Sequence, residues 1–133
     1  MTRPMRCGRE PTLESITELP GYVYLGSPYS KFPAGLDEAC RQVQLAAANL
    51  MLAGVRIFCP IAHSHGIGKV GHLDNKDWTF WRAQDHPLMV GASAMIVLKM
   101  EGWRESVGLN DEIDTFTLAG KPILYLDPKE VGL

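Results

Sequence analysis

The sequence predicts a layered α/β domain built on a parallel sheet, and three observations carry that expectation. Short apolar, β-rich runs stand at residues 22–25, 55–59, 94–98 and 122–126. Segments of helical periodicity alternate with them. The third run, Ala94-Met95-Ile96-Val97-Leu98, is apolar throughout, as a strand covered on both faces requires. With 133 residues, 46% hydrophobic and 21% charged, the chain holds material for one core, and whole-chain disorder is excluded.

Residues 1–20 carry Pro4, Pro11 and Pro20 with scattered charge and little periodicity. They read as an N-terminal extension, mobile or draped on the body of a domain at residues 21–133. The first strand run ends in Gly26-Ser27-Pro28-Tyr29-Ser30-Lys31, a tight loop. Leu36, Cys40, Val43, Ala47, Leu50 and Met51 then recur at three- and four-residue spacing, which predicts a long helix. Asp37 and Glu38 suit its positive N-terminus, and Gly54 suits the C′ position. The second strand is closed by Pro60, and residues 61–76, polar with His and Gly, show no clear period. Residues 77–84 read as a helix with Trp78 and Trp81 facing in. Pro87 disfavours helical geometry at His86, so a break is expected beside Asp85. Residues 101–108 read as a loop, 111–118 as a helix ending at Gly120, and 122–126 as the last strand. In such sheets ligands bind beyond the carboxyl ends of the strands, where strand order reverses. The loops at 26–31, 60–68 and 101–108 meet there.

Thirteen basic against fifteen acidic side chains give a formal charge of -2, with no basic excess to hold a nucleic-acid polymer. No apolar run reaches the roughly 18–20 residues of a membrane helix, and the N-terminus lacks the apolar stretch of a secretory signal. No membrane partner and a cytoplasmic location are therefore expected. Cys7, Cys40 and Cys59 are too widely spaced for a disulfide framework or a Cys-rich zinc site, and read as free thiols.

Several residues could carry chemistry. In the loop after the first strand, Gly26 permits close approach of a ligand to the backbone, and Ser27 offers a hydroxyl, which suits a phosphate or a sugar. An ordinary turn explains the loop equally, since it is neither a dinucleotide fingerprint nor a P-loop. His63 and His65 invite a metal reading, yet two histidines two apart do not make zinc's usual ligand set. Trp78 and Trp81 could stack on a base, although their spacing favours core packing. Trp103, flanked by Gly102 and Arg104, could close over a pocket or cap the core. Glu112 lies near the start of the last helix, where backbone N–H groups and the helix dipole would hold a carboxylate ionised. Asp111 beside it is an equal candidate, and a generic N-terminal acid explains both.

Three pieces together resemble the nucleoside 2-deoxyribosyltransferase superfamily, over about residues 22–128. They are Tyr24-Leu25-Gly26-Ser27-Pro28-Tyr29; Asp85 with Leu88, Met89 and the strand at 94–98; and Ser106-Val107-Gly108-Leu109-Asn110-Asp111-Glu112 followed by Gly120-Lys121-Pro122. The last is similar to the family's Ser-x-Gly-x-x-x-Glu. The chain most resembles a poorly characterised branch that stands beside the 2′-deoxynucleoside 5′-phosphate N-hydrolases. The resemblance implies a flavodoxin-like three-layer fold with a four- to five-stranded parallel sheet, and cleavage or transfer at an N-glycosidic bond. It implies Glu112 as nucleophile, Asp85 as the acid that binds or protonates the base, and Tyr29 as a further catalytic candidate. Tyr24, Gly26, Ser27, Ser106, Gly108, His65 and Trp103 are the implied substrate contacts. Ser106 matches the phosphate-binding serine of the monophosphate hydrolases, where transferases acting on free nucleosides tend to carry an acid that would repel phosphate. Tyr29 stands where some monophosphate hydrolases use an arginine, and Ala94 where the family commonly has an aspartate. The expected partner is a nucleoside or nucleotide, with no cofactor and no metal, in a homodimer or larger homo-oligomer. Two rivals remain: a nucleotide-binding or sensing module without turnover, and a metal-dependent hydrolase using His63 and His65.

Overall fold

A computed structural model describes residues 10–133, so Cys7 and Pro4 lie outside the described residues. Strands β1 (Val23–Gly26), β2 (Ile57–Phe58), β3 (Ala94–Leu98) and β4 (Ile123–Leu126) form one sheet in the order β2-β1-β3-β4. Every pairing is parallel, with Val23 opposite Ile57 and Ala94, and Met95 opposite Ile123. The helices are α1 (Leu13–Thr17), α2 (Leu36–Leu52), α3 (Pro60–Val70), α4 (Trp78–Gly91) and α5 (Val107–Leu118). The result is the expected flavodoxin-like α/β arrangement, with a four-stranded sheet between helical layers. No helix among the described residues is long and apolar enough to cross a membrane.

Strand alternation sorts the core into two halves. Val23, Leu25, Ile96 and Leu98 face one side, against Val43, Ala46, Ala47 and Leu50 of α2. Ile16 of α1 is buried in that same half, so this part of the N-terminal segment packs onto the domain. Tyr24, Met95 and Val97 face the other side, against Met89 of α4 and Leu109 and Phe116 of α5. Each fully buried large apolar side chain contributes roughly 1.5–3 kcal/mol.

Three expectations about elements need correction. Residues 61–70, unassigned from periodicity, are helical: Pro60 sits at the first position of α3, where its missing N–H costs nothing. Gly66 and Gly68 hid the helix, and Gly68 has a packing reason. A Cβ there would stand 1.6 Å from Asn75 Oδ1, so only glycine lets the asparagine pack against α3. The second correction is that α4 runs through Pro87 to Gly91, and buried Met89 anchors the turns beyond the proline. Third, α5 begins at Val107 rather than at residue 111. Ser106 is its N-cap and accepts the Leu109 N–H at 3.2 Å.

Candidate active site

The order β2-β1-β3-β4 reverses direction between β1 and β3, which opens a crevice beyond their carboxyl ends. A cavity of about 360 Å³ lies at that end of the sheet. One wall is a single face of α4, with Trp78, Trp81, Arg82, Asp85 and Met89 at helical spacing. The opposite wall is the start of α5, with Ser106, Val107, Gly108, Asp111 and Glu112; Tyr29 and Asn75 complete it. Two segments far apart in the chain thus bring Asp85 and Glu112 to one cavity.

Glu112 is held from below. Tyr24 Oη, at the sheet's end of the core, donates to Glu112 Oε2 at 2.6 Å. Burial pushes the Tyr24 phenol far above its ordinary value, so it stays protonated and its O–H donates to the carboxylate. No described residue donates to Glu112 Oε1, which lies on the side of Gly26. The expectation that the helix dipole keeps Glu112 ionised is overturned. Because α5 starts earlier, Glu112 sits in its second turn, beyond the reach of the terminal N–H groups. Burial instead raises its pKa to about 8, with the Asp85 and Asp111 charges adding to the shift and the Tyr24 hydrogen bond opposing it. Burial also raises Asp85 to about 6, opposed by the nearby His63. Asp111, the rival acid, is engaged with Arg82, whose Nε lies 2.9 Å from Asp111 Oδ2.

Gly26 explains how close the floor can come. A Cβ at this position would meet Met95 Cε at 2.6 Å, Leu109 Cδ1 at 2.9 Å and Glu112 Oε1 at 3.3 Å. Both methyl groups are ends of flexible chains, so the substitution is accommodated at a cost. Gly26→Ala is expected to lower stability by about 1–3 kcal/mol, read in urea denaturation, and to displace Glu112. Wild-type stability in Gly26→Ala would show that the floor is looser than described.

The other expected contacts separate into groups. Tyr29, Ser106 and Gly108 line the cavity. Tyr24, Gly26 and Ser27 lie beneath its wall, and the Ser27 hydroxyl is buried with no hydrogen-bond partner among the described residues. His65 stands behind Tyr29 and lines a second, more open cavity of about 630 Å³ that shares Asn75 and Lys76 with the first. Trp103 is not a lid. Its ring lies 5.8 Å from Tyr125, beside β4, with Arg104 4.8 Å above it. Trp78 and Trp81 face in, but onto the cavity rather than into the core, and Trp78 is 44% exposed. Asn75, Lys76 and Arg82 line the site unforeseen. Their segment has no strand or helix period to place it, apart from Arg82, which follows Trp78 by one helical turn.

The chain belongs to the family described as domain of unknown function DUF1937, whose profile matches residues 21–127. No curated protein matches the chain.

Proposed function

We propose that this protein cleaves the N-glycosidic bond of a nucleoside or nucleoside 5′-monophosphate through Glu112. The observation that carries this reading is the pair of carboxyl groups, Glu112 and Asp85, on one cavity, with a phenol donating to the first. Glu112 Oε1 attacks C1′, the C1′–N bond breaks, and its electron pair leaves with the base. Asp85 supplies the proton that the base nitrogen takes. Water then attacks C1′ of the glycosyl-enzyme, gives its proton to the Asp85 carboxylate, and frees the Glu112 carboxylate. Two displacements at C1′ retain configuration. A second base in place of water turns the same cycle into transfer.

The chemistry needs one proton shared between the two acids. With pKa values of about 6 and about 8, the pair holds that proton across the neutral range. Between these values the proton rests mainly on Glu112, the weaker acid, so attack proceeds from the minor tautomer with Glu112 anionic and Asp85 protonated, which the Tyr24 hydrogen bond favours. Activity is therefore expected to fall below about pH 6, where both acids are protonated, and above about pH 8, where both are ionised. Tyr24→Phe removes the donor that lowers the Glu112 pKa, so the alkaline limb, set by Glu112, should move to higher pH. We expect roughly tenfold slower turnover at neutral pH as well. An unmoved limb would separate Tyr24 from the nucleophile.

A phosphate has a seat at the α5 end of the cavity. The Ser106 oxygen accepts the Leu109 N–H, which leaves its own O–H to donate, and the N-terminus of α5 adds positive potential. Lys76 supplies a cation on the same cavity. The Trp78 and Trp81 faces suit a planar base. The test is base release from paired nucleosides and their 5′-monophosphates. Faster release from the monophosphates supports the hydrolase reading, while saturable binding without product supports a sensing module instead.

A further inference from the structure

Behind Tyr29 runs a chain of hydrogen bonds that the proposed chemistry leaves unused. Tyr29 Oη contacts His65 Nδ1, and His65 Nε2 lies 2.8 Å from Asp37 Oδ1. Lys69 Nζ lies 3.1 Å from the same Asp37 oxygen. On its other side, Tyr29 Oη is met by Asn75 Nδ2 at 3.1 Å. The elements involved are the β1–α2 loop, the first turn of α2, α3 and the α3–α4 connection, which converge only in the folded chain.

Donor and acceptor rules fix the direction of this chain. Asn75 Nδ2 also lies 3.2 Å from the His65 carbonyl oxygen, which can only accept. That contact sets the amide's orientation, so Asn75 donates to Tyr29. Asp37 is a carboxylate held below its usual range by Lys69 and His65, so it accepts from His65 Nε2. In the neutral ring, Nδ1 is then an acceptor, and Tyr29 must donate to it. The Tyr29 oxygen has spent its proton on His65 and one lone pair on Asn75. One lone pair remains.

We infer that Asp37 and His65 are positioning residues that fix Tyr29 as a hydrogen-bond acceptor toward the cavity, and that the site selects a ligand bringing a sugar hydroxyl to it. The inference rests on the nucleoside reading for the identity of that hydroxyl, but not for the polarity of the chain. The side-chain exposures agree with a built device rather than a surface pair. His65 is 11% exposed and sandwiched, while Asp37, at 75%, reaches in from solvent to orient it. A ligand lacking the hydroxyl leaves the Tyr29 lone pair unmatched, which is the basis for discrimination between sugars.

Two measurements on the full chain test this. The first is the histidine tautomer at pH 8, read from ring nitrogen shifts by NMR and assigned with His65→Gln. The Nε2–H tautomer is expected, and the Nδ1–H tautomer overturns the proposal. The second is affinity, read by tryptophan fluorescence, for a 2′-deoxynucleoside 5′-monophosphate and its 2′,3′-dideoxy counterpart. Losing the hydroxyl should weaken binding to wild type roughly tenfold. Tyr29→Phe should bring the two affinities together, and Asp37→Asn should narrow the gap to about two- or threefold while the fold, checked by thermal melting, is kept. Equal wild-type affinities overturn the selection, and an Asp37→Asn ratio identical to wild type overturns the positioning role. If neither nucleotide binds, the glycosidase reading fails, and the tautomer alone decides the polarity of the chain.

Discussion

Glu112→Gln is expected to reduce base release by roughly three to five orders of magnitude. Glutamine keeps the shape of the side chain and can still accept from Tyr24, so the cavity is preserved. What it lacks is the anion that forms the bond to C1′. The two neighbouring acids provide the contrast. Asp111, tied to Arg82 at 2.9 Å, is expected to tolerate change to asparagine with at least a tenth of wild-type activity. Asp85→Asn removes the proton donor but not the nucleophile, and a loss of roughly 10²–10⁴-fold is expected. That loss should shrink for substrates whose base departs without help. Glu112→Gln at near wild-type activity, or losses of equal size at all three positions, would contradict this division of labour.

The second large effect concerns stability. An acid whose folded pKa lies above its unfolded value holds its proton while the unfolded chain has released it. Between those two values the folded state binds more protons, so stability falls as pH rises. For Glu112 the window runs from the ordinary value of 4.5 to about 8, and for Asp85 from 3.8 to about 6. Glu112→Gln abolishes the larger contribution. The variant and wild type should therefore melt alike near pH 4. By pH 8 the variant should be the more stable, by on the order of a few kcal/mol. Thermal melts at both pH values check this, and parallel curves would mean that the carboxyl group is better hydrated than the structure indicates. A stabilised but inactive variant is the usual sign of a site held at the expense of the fold.

How much of this was legible beforehand follows from physical range. The strands declared themselves because burial on both faces demands continuous apolar runs, and 94–98 carries the observed limits of β3. Where helix signals were local, as with Leu36 to Leu50 closing at Gly54, the element was also clear. The failures came where one residue served two purposes. The resemblance marks Ser106 as a phosphate ligand, whereas its hydroxyl also caps α5, which sets the helix start at Val107 and with it the electrostatics of Glu112. Gly68 leaves residues 61–76 without a legible helical period, and its missing side chain makes room for Asn75. Pro87 suggested a break that tertiary packing overrides. The meeting of Asp85 with Glu112 was suggested by motif order. The contact of Asp37 with His65, by contrast, depends on the packing of α2 against α3, which leaves no mark in local periodicity.

The central claim is that Glu112 becomes covalently bonded to a sugar. It is tested most directly by rapid acid quench of the protein during turnover of a 2′-deoxynucleoside 5′-monophosphate, followed by peptide mass spectrometry. The account predicts an added deoxyribose 5-phosphate on the peptide containing Glu112, absent from Glu112→Gln and lost with time as water completes the cycle. Base release at full rate with no sugar on that peptide, or with the sugar on another residue, would contradict it.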